Sequence, residues 1–314
     1  LIDALSEKRI GVIMGGLSAE REVSNASGTA VMRALESEGY DVHQIVFSGP
    51  DIVEQIENVD PDVVFLALHG RYGEDGAMQG LLEIMRVPYT GTGVEGSAIA
   101  MDKVATKEVL SHRGIKNAPF VALEKCGTED PEAEAAKVGY PLVVKPANLG
   151  STIGMSFVYG REGLESALEL AFSHDRTVLL EKFIHGRELT VGILGGRALP
   201  LVEIIVPGGV YDYEAKYQSR DNKYVCPAEL DENVAKQVQE TALDVFRALK
   251  GYSMSRVDFR LDEAGDAYVL EMNTIPGLTG TSLLPKAAAV AGISFIALIE
   301  TMLADAVTRY EEQA

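Results

Sequence analysis

Short apolar runs alternate with longer amphipathic stretches along this chain. Residues 10–14 (IGVIM), 42–47 (VHQIVF) and 63–68 (VVFLAL) read as buried strands. The first ends in Gly15-Gly16 and leads into a helical segment that stops at Gly39. Strand, glycine turn and helix open a parallel α/β unit, and a third such unit ends near residues 88–91. The predicted first domain is residues 1–102.

A new helix begins at Met101-Asp102-Lys103 and opens a second predicted domain, 103–185. It holds a strand with Lys145 before Pro146, a small-residue loop over 147–154, and a strand over 178–182. The third, 186–314, starts with a strand pair, 188–194 and 199–205, around Gly195-Gly196. The polar segment 207–227 is long for a structureless loop, which favours a functional lid. Asp231 suits the N-cap of a helix whose apolar face is Val234, Val238, Ala242, Val245, Phe246 and Leu249, stopping at Gly251. A final helix presents Ile296, Ile299, Met302, Leu303, Ala306, Val307 and Tyr310.

Between those helices, Arg256, Asp258 and Arg260 alternate with Val257, Phe259 and Leu261, a strand with one polar face. A turn over 262–266 and a strand over 267–271 follow. A two-residue loop at Ala264-Gly265 sets Asp258 opposite Glu271 and Arg256 opposite Asn273. Facing carboxylates roughly 5 Å apart repel each other unless a cation lies between them. Two carboxylates and an amide oxygen suit Mg²⁺ with substrate phosphates. A surface hairpin with solvated acids is the plain alternative.

The chain has 314 residues, enough for two or three domains. Its net charge of −19 argues against nucleic-acid or anionic-membrane partners, and concentrates interest on the few basic residues if substrates are anionic. Two distant cysteines, Cys126 and Cys226, make no disulfide framework or cysteine zinc site. No apolar run approaches the ~18 residues of a membrane span. No signal peptide is visible, and the first residue is not Met, so a few residues are expected to precede it. A cytoplasmic enzyme is the natural expectation. Neither G-x-G-x-x-G nor G-x-x-x-x-G-K-[ST] occurs.

Several residues carry candidate chemistry. Glu20 lies at the carboxyl end of the first strand, where open α/β sheets bind ligands, and suits a substrate ammonium; a helix-start acid is the alternative. His69 stands in a loop with three glycines in seven residues, either orienting a carboxylate or without chemistry. The loop over 147–154 offers N–H groups and hydroxyls to phosphates, although most such loops are hairpin turns. Lys145 and the segment Glu181-Lys182-Phe183-Ile184 suit the phosphates and edge of a purine nucleotide; strand-end solvation is the alternative for both lysines.

GGLSAEREVS, ALHGRYGEDG, MDK, VVKPANLGSTIG, EKFIHGRE, YDYEAKY, RVDF and LEMNTIPGLT follow one another along nearly the whole chain. In this order and spacing they resemble the D-alanine–D-alanine ligase family of the ATP-grasp superfamily. The resemblance implies an ATP-grasp fold: an N-terminal parallel α/β domain and two α+β halves gripping ATP. It implies that ATP phosphorylates one D-alanine and that the amine of a second attacks the acyl phosphate, for peptidoglycan precursor synthesis. Asp258, Glu271 and Asn273 then match magnesium ligands, with Mn²⁺ an alternative and a monovalent cation a further cofactor. Lys103, Lys145 and, from the lid, Lys216 match phosphate-binding residues. Glu181 with backbone groups of Lys182 to Ile184 matches the adenine contact, and Glu188 the ribose contact. Glu20 matches the partner of the first ammonium, linked through Ser151 and Tyr217 to lid closure. His69 matches a histidine near the first carboxylate. Arg256 and the Gly277 N–H match the oxyanion stabilisers, and Ser282 and Leu283 the second carboxylate site. The family also implies a homodimer.

Three departures stand out. Thr152 replaces a serine but keeps the hydroxyl. Asn148-Leu149 replaces a more polar pair in the phosphate loop. Ile275 and residues 278–281 differ beside the second-substrate pocket. The rival readings are a D-alanine–D-lactate ligase, a non-catalytic ATP-grasp binding module, and another ATP-grasp carboxylate–amine ligase. Tyr217 favours the dipeptide; the intact metal ligands and Arg256 oppose the binding module; Glu20 with Lys216-Tyr217 opposes the third.

Overall fold

Ile10, Val12, Ile13 and Met14 are all buried, so β1 (Arg9–Gly15) is covered on both faces and runs as the centre of a sheet. The computed structural model describes residues 5–150, 152–206 and 222–313. β1 pairs in parallel with β2 (Asp41–Phe47) and β3 (Val63–Leu66) in the order β2-β1-β3. β3 ends two residues earlier than expected, although Ala67 N–H still bonds Ile13 O at 2.9 Å. Helix α1 (Arg21–Ser37) packs on β1. Its Ser24 hydroxyl takes the Gly15 N–H at 2.9 Å and donates to Ala67 O at 2.8 Å, fastening together the ends of β1 and β3.

Helices α2 (Ile52–Val59), α3 (Ala77–Met85) and α4 (Val94–Met101) complete this part. Asp102 then caps α5 (Lys103–His112), accepting from the N–H of Val104 and of Ala105 at 2.9 and 3.1 Å. A four-stranded antiparallel sheet follows, ordered β4 (Phe120–Glu124), β7 (Thr177–Lys182), β5 (Leu142–Pro146), β6 (Ser156–Val158). It is backed by α6 (Pro131–Val138) and α7 (Leu164–His174) over their own core.

The third sheet is ordered β11 (Lys223–Val225), β10 (Val202–Ile205), β8 (Arg187–Leu194), β12 (Met254–Leu261), β13 (Ala267–Asn273), with β9 (Arg197–Ala198) on β8. The end of the expected lid segment is therefore sheet, β11 on β10. Helix α8 (Glu232–Ala248) covers β8 and β12, and Asp231 caps it as expected, accepting from Asn233 and Val234 N–H. Its stop differs. The left-handed residue is Lys250, at φ +55°, and not Gly251. Gly251 is instead required by contact, because a Cβ there would lie 2.3 Å from the Phe246 ring.

Helix α9 (Leu283–Val290) packs on β8, and α10 (Phe295–Gln313) returns to the first sheet, where it packs on β3 and α1. One core thus joins Ile13, Val31 and Phe65 to Leu298, Met302 and Leu303. Among the described residues no single helix is long and apolar enough to cross a membrane.

Candidate active site

The hairpin of β12 and β13 holds the expected pairs, Arg256 opposite Asn273 and Asp258 opposite Glu271, by a route the turn reading missed. Its loop has three residues. Asp262 N–H bonds Asp266 O at 3.0 Å, and the Asp262 carboxylate accepts from the N–H of Ala264 and Asp266, each at 2.9 Å. That wider loop alone would place Leu270 opposite Asp258. A bulge between Asp258 and Phe259 inserts Leu270 into β13 and restores Glu271 to that place. Leu270 and Glu271 both line the cleft as a result.

β12 buries Val257, Phe259 and Leu261 in the core and turns Arg256, Asp258 and Arg260 to the other face. β8 runs beside it with Thr190 opposite Asp258 and Glu188 opposite Arg260. The Asp258 carboxylate is held on all sides. Thr190 Oγ1 donates to Oδ1 at 2.6 Å, Arg256 Nε to Oδ1 at 2.9 Å and Nη2 to Oδ2 at 2.8 Å, and Asn273 Nδ2 to Oδ2 at 3.0 Å. Arg260 bridges Glu188 at 3.1 Å and the Gly186 carbonyl at 3.0 Å.

The facing wall comes from the four-stranded sheet and α5. Lys103, at the first position of α5, donates from Nζ to Leu149 O at 2.7 Å and lies 3.6 Å from Glu271 Oε2. Its backbone N–H bonds Ala147 O at 3.0 Å, so helix start and phosphate-loop candidate are joined. Lys145 Nζ is 3.0 Å from Glu181 Oε2, and Lys107, which the sequence reading passed over, is 3.1 Å from the same oxygen. Burial alone would raise the Glu181 carboxyl, but the two ammonium groups outweigh it and hold it below its ordinary value. Burial, with the charge of Lys145, holds Lys107 below the usual lysine range. Lys182 spends its ammonium on the Gly139 and Tyr140 carbonyls, at 3.0 and 2.6 Å, while Phe183 and Ile184 line the cleft. Val143, Met155, Phe157 and Leu270 add apolar surface, so the space between the sheets combines apolar walls with the ammonium groups of Lys103 and Lys145.

At the carboxyl ends of β1 and β3, Glu20 meets two glycines. A Cβ on Gly70 would lie 2.8 Å from Glu20 Oε2 and one on Gly150 3.2 Å from it; Gly70 has φ +68°. His69 is buried, 3.4 Å from the Ser27 hydroxyl, and burial lowers its affinity for protons. Glu74 was also missed. It accepts the Gly70 N–H at 2.7 Å and is bonded by the Ile275 backbone. Burial first, then the charge of Glu20, push its pKa up to about 8, so it is a neutral acid at pH 7. The only signal for Glu74 in the sequence is a carboxylate among the glycines of HGRYGEDG. Lys107 carries no signal beyond its position one turn after Lys103.

Gly277 approaches the N-terminus of α9, where a Cβ would lie 2.9 Å from Ser282 Oγ. Ser282 does not cap α9 with its side chain; Oγ accepts the Thr279 N–H at 3.0 Å, and Leu283 is the buried first helical residue. The structure therefore brings Glu20 and Arg256 close to His69, sets Gly277 against Ser282, and lines one cleft with Lys103, Lys145, Glu181, Ile184, Glu188, Asp258 and Glu271. Ser151, Lys216 and Tyr217 lie outside the described residues. Among those described, no three His, Cys, Asp or Glu side chains form a metal cluster. The expected set has two carboxylates and the amide of Asn273, hard oxygen donors on one hairpin face, and that set fits a divalent cation.

Residues 49–92 match the model of the D-ala D-ala ligase N-terminus, and residues 109–304 that of the D-ala D-ala ligase C-terminus. The chain is 48% identical over 309 residues to the D-alanine–D-alanine ligase of Syntrophotalea carbinolica, covering 97% of this chain and 98% of that one. It is 48% identical over 305 residues to that of Geobacter sulfurreducens, covering 97% and 96%. A crystal structure of the Bacillus anthracis D-alanine–D-alanine ligase complexed with ATP superposes with a TM-score of 0.87 at 35% identity, covering 98% of this chain and all of that one. Motif order, sheet topology and full-length identity agree, and the chain belongs to the D-alanine–D-alanine ligase family.

Proposed function

We infer that this chain joins two molecules of D-alanine into D-alanyl-D-alanine at the expense of ATP, through an acyl phosphate, for peptidoglycan precursor synthesis. The observation that carries this reading is a cleft between two sheets, lined by apolar residues, Lys103, Lys145, Asp258 and Glu271, with Arg256 bonded to Asp258. The ATP complex of the Bacillus anthracis relative supports ATP as the nucleotide.

Phe183, Ile184 and the apolar wall hold the base, Glu181 its edge and Glu188 the ribose. Lys103 and Lys145 neutralise phosphate charge, and Lys216 is proposed to join them. Asp258, Glu271 and Asn273 are the proposed magnesium ligands; the ion supplies charge neutralisation at the transferring phosphoryl group. Glu20 takes the ammonium of the first D-alanine, with Ser151 and Tyr217 as its proposed link to the lid. His69, neutral and buried, orients the first substrate's carboxylate. The second amine attacks the acyl carbon; the Arg256 guanidinium and the Gly277 N–H stabilise the oxyanion, and phosphate leaves. The Ser282 hydroxyl and the Leu283 N–H, at the start of α9, are the proposed holders of the second substrate's carboxylate. Domain limits near 102 and 185, a homodimer and a cytoplasmic location belong to the same proposal. A single monomeric species in sedimentation at micromolar protein would remove the dimer.

The test is phosphate release with ATP and magnesium, supplying D-alanine, L-alanine, or D-alanine with D-lactate, and identifying products by mass. Dipeptide from D-alanine alone is expected. Depsipeptide as main product would make this a D-alanine–D-lactate ligase, and tight ATP binding without turnover a binding module.

A further inference from the structure

Ser27 lies on α1 and is 1% exposed, yet its hydroxyl reaches two segments far apart in the chain. It accepts the Leu278 N–H at 3.2 Å, across 251 positions, and lies 3.4 Å from His69 Nε2. The Ser27 hydroxyl thus joins the His69 ring, at the end of β3, to the backbone of Leu278 in the loop after β13. The segment beside Gly277 is therefore held from the N-terminal sheet through one side chain on α1.

We propose that Ser27 is a positioning residue that joins His69 to Leu278 and fixes the loop beside Gly277, so that the second D-alanine's pocket is set from the first-substrate side. The inference rests on the ligase reading above. Ser27 touches neither substrate and acts through Gly277 and the start of α9. Nothing in its burial alone requires a hydroxyl, since alanine would fill most of the same space.

The experiment separates the two half-reactions. Hydroxylamine captures an acyl phosphate without using the second-substrate pocket: its nitrogen attacks the acyl carbon, the bond to the phosphate oxygen breaks, inorganic phosphate leaves, and the nitrogen gives a proton to solvent. Unsubstituted protein is measured first. If it yields neither hydroxamate nor dipeptide, the ligase reading itself falls, and the proposal with it. In Ser27→Ala, dipeptide formation is expected to fall about tenfold, the size of one lost hydrogen bond, through a raised KM for the second D-alanine. Hydroxamate formation and the KM for ATP should stay within about twofold, because the first half-reaction is untouched. Equal loss of both products, or loss of neither, overturns the proposal. If Ser27→Ala does not fold, Ser27→Cys is read instead; its thiol keeps the volume and is a weak donor, and it should show the same split at smaller size. An unsplit loss in that variant also overturns the proposal. Ser27→Ala combined with His69→Gln should lose less dipeptide formation than the product of the two single losses, whereas a full product would mean that Ser27 and His69 act independently and would overturn the link between them.

Discussion

At position 181 one carboxylate, 2% exposed, is shared by two ammonium groups. Lys145 is partly open to the cleft, while Lys107 is wholly enclosed and adds only a bond to the Ala118 carbonyl at 3.3 Å and the Phe120 ring face. Lys107→Met leaves a buried carboxylate with one partner, so a loss of about 3 kcal/mol in urea unfolding is expected. Adding Glu181→Gln should recover part of it, which a purely steric role for Lys107 would not allow. Glu74 gives a pH signature. Its pKa rises from an ordinary 4.5 to about 8 in the folded protein, so between those values the folded state holds a proton that the unfolded chain releases. The stability it contributes is complete below pH 4.5, declines above it and is gone once pH passes about 8. The unfolding midpoint of the native protein should fall from pH 6 to 9 more steeply than that of Glu74→Gln; parallel profiles would refute this. Lys107 and Glu74 were not legible in the sequence, because their chemistry comes from enclosure by distant residues and not from their neighbours.

Among elements, the β12–β13 hairpin was read with the right pairs and the wrong loop. A loop one residue longer and a bulge one residue wide cancel at Asp258 and Glu271, and neither alters the alternation of β12 that revealed the strand. The end of α8 shows the converse. A glycine at the right place marked the stop, but the left-handed turn is at Lys250, and Gly251 makes room for Phe246. Gly251→Ala should therefore cost about 2 kcal/mol by overpacking, seen as a lower denaturation midpoint with an unchanged KM for ATP. An unaffected midpoint would mean the ring moves aside freely.

At the scale of the whole molecule, the last helix closes the first sheet. Arg309 on α10 donates to the carbonyls of Gly91 and Tyr89 at 2.8 and 3.0 Å, and its guanidinium lies 4.4 and 4.8 Å from the ring centroids of Tyr89 and Tyr252. Arg309→Ala should cost about 3 kcal/mol, and Arg309→Lys should recover little of it, because an ammonium lacks the planar fork that bonds two carbonyls and stacks on rings. Equal stability of the Lys variant and the native protein would refute the stacking account.

The strands of the first sheet, β8, β12 and α8, the polar face of β12, the Asp231 cap and the ordered motifs were determined by the sequence itself, since each depends on residues that are contiguous or spaced by one local period. The tertiary structure alone decided that Glu20 is wedged against Gly70 and Gly150, that Lys107 shares Glu181, that Ser27 holds Leu278, and that α10 seals the first sheet. The physical reason is that local periodicity fixes which face of an element is apolar, whereas partners across hundreds of positions are fixed by how those faces pack, and a bulge or a glycine contact can shift a partner without leaving a trace in the period.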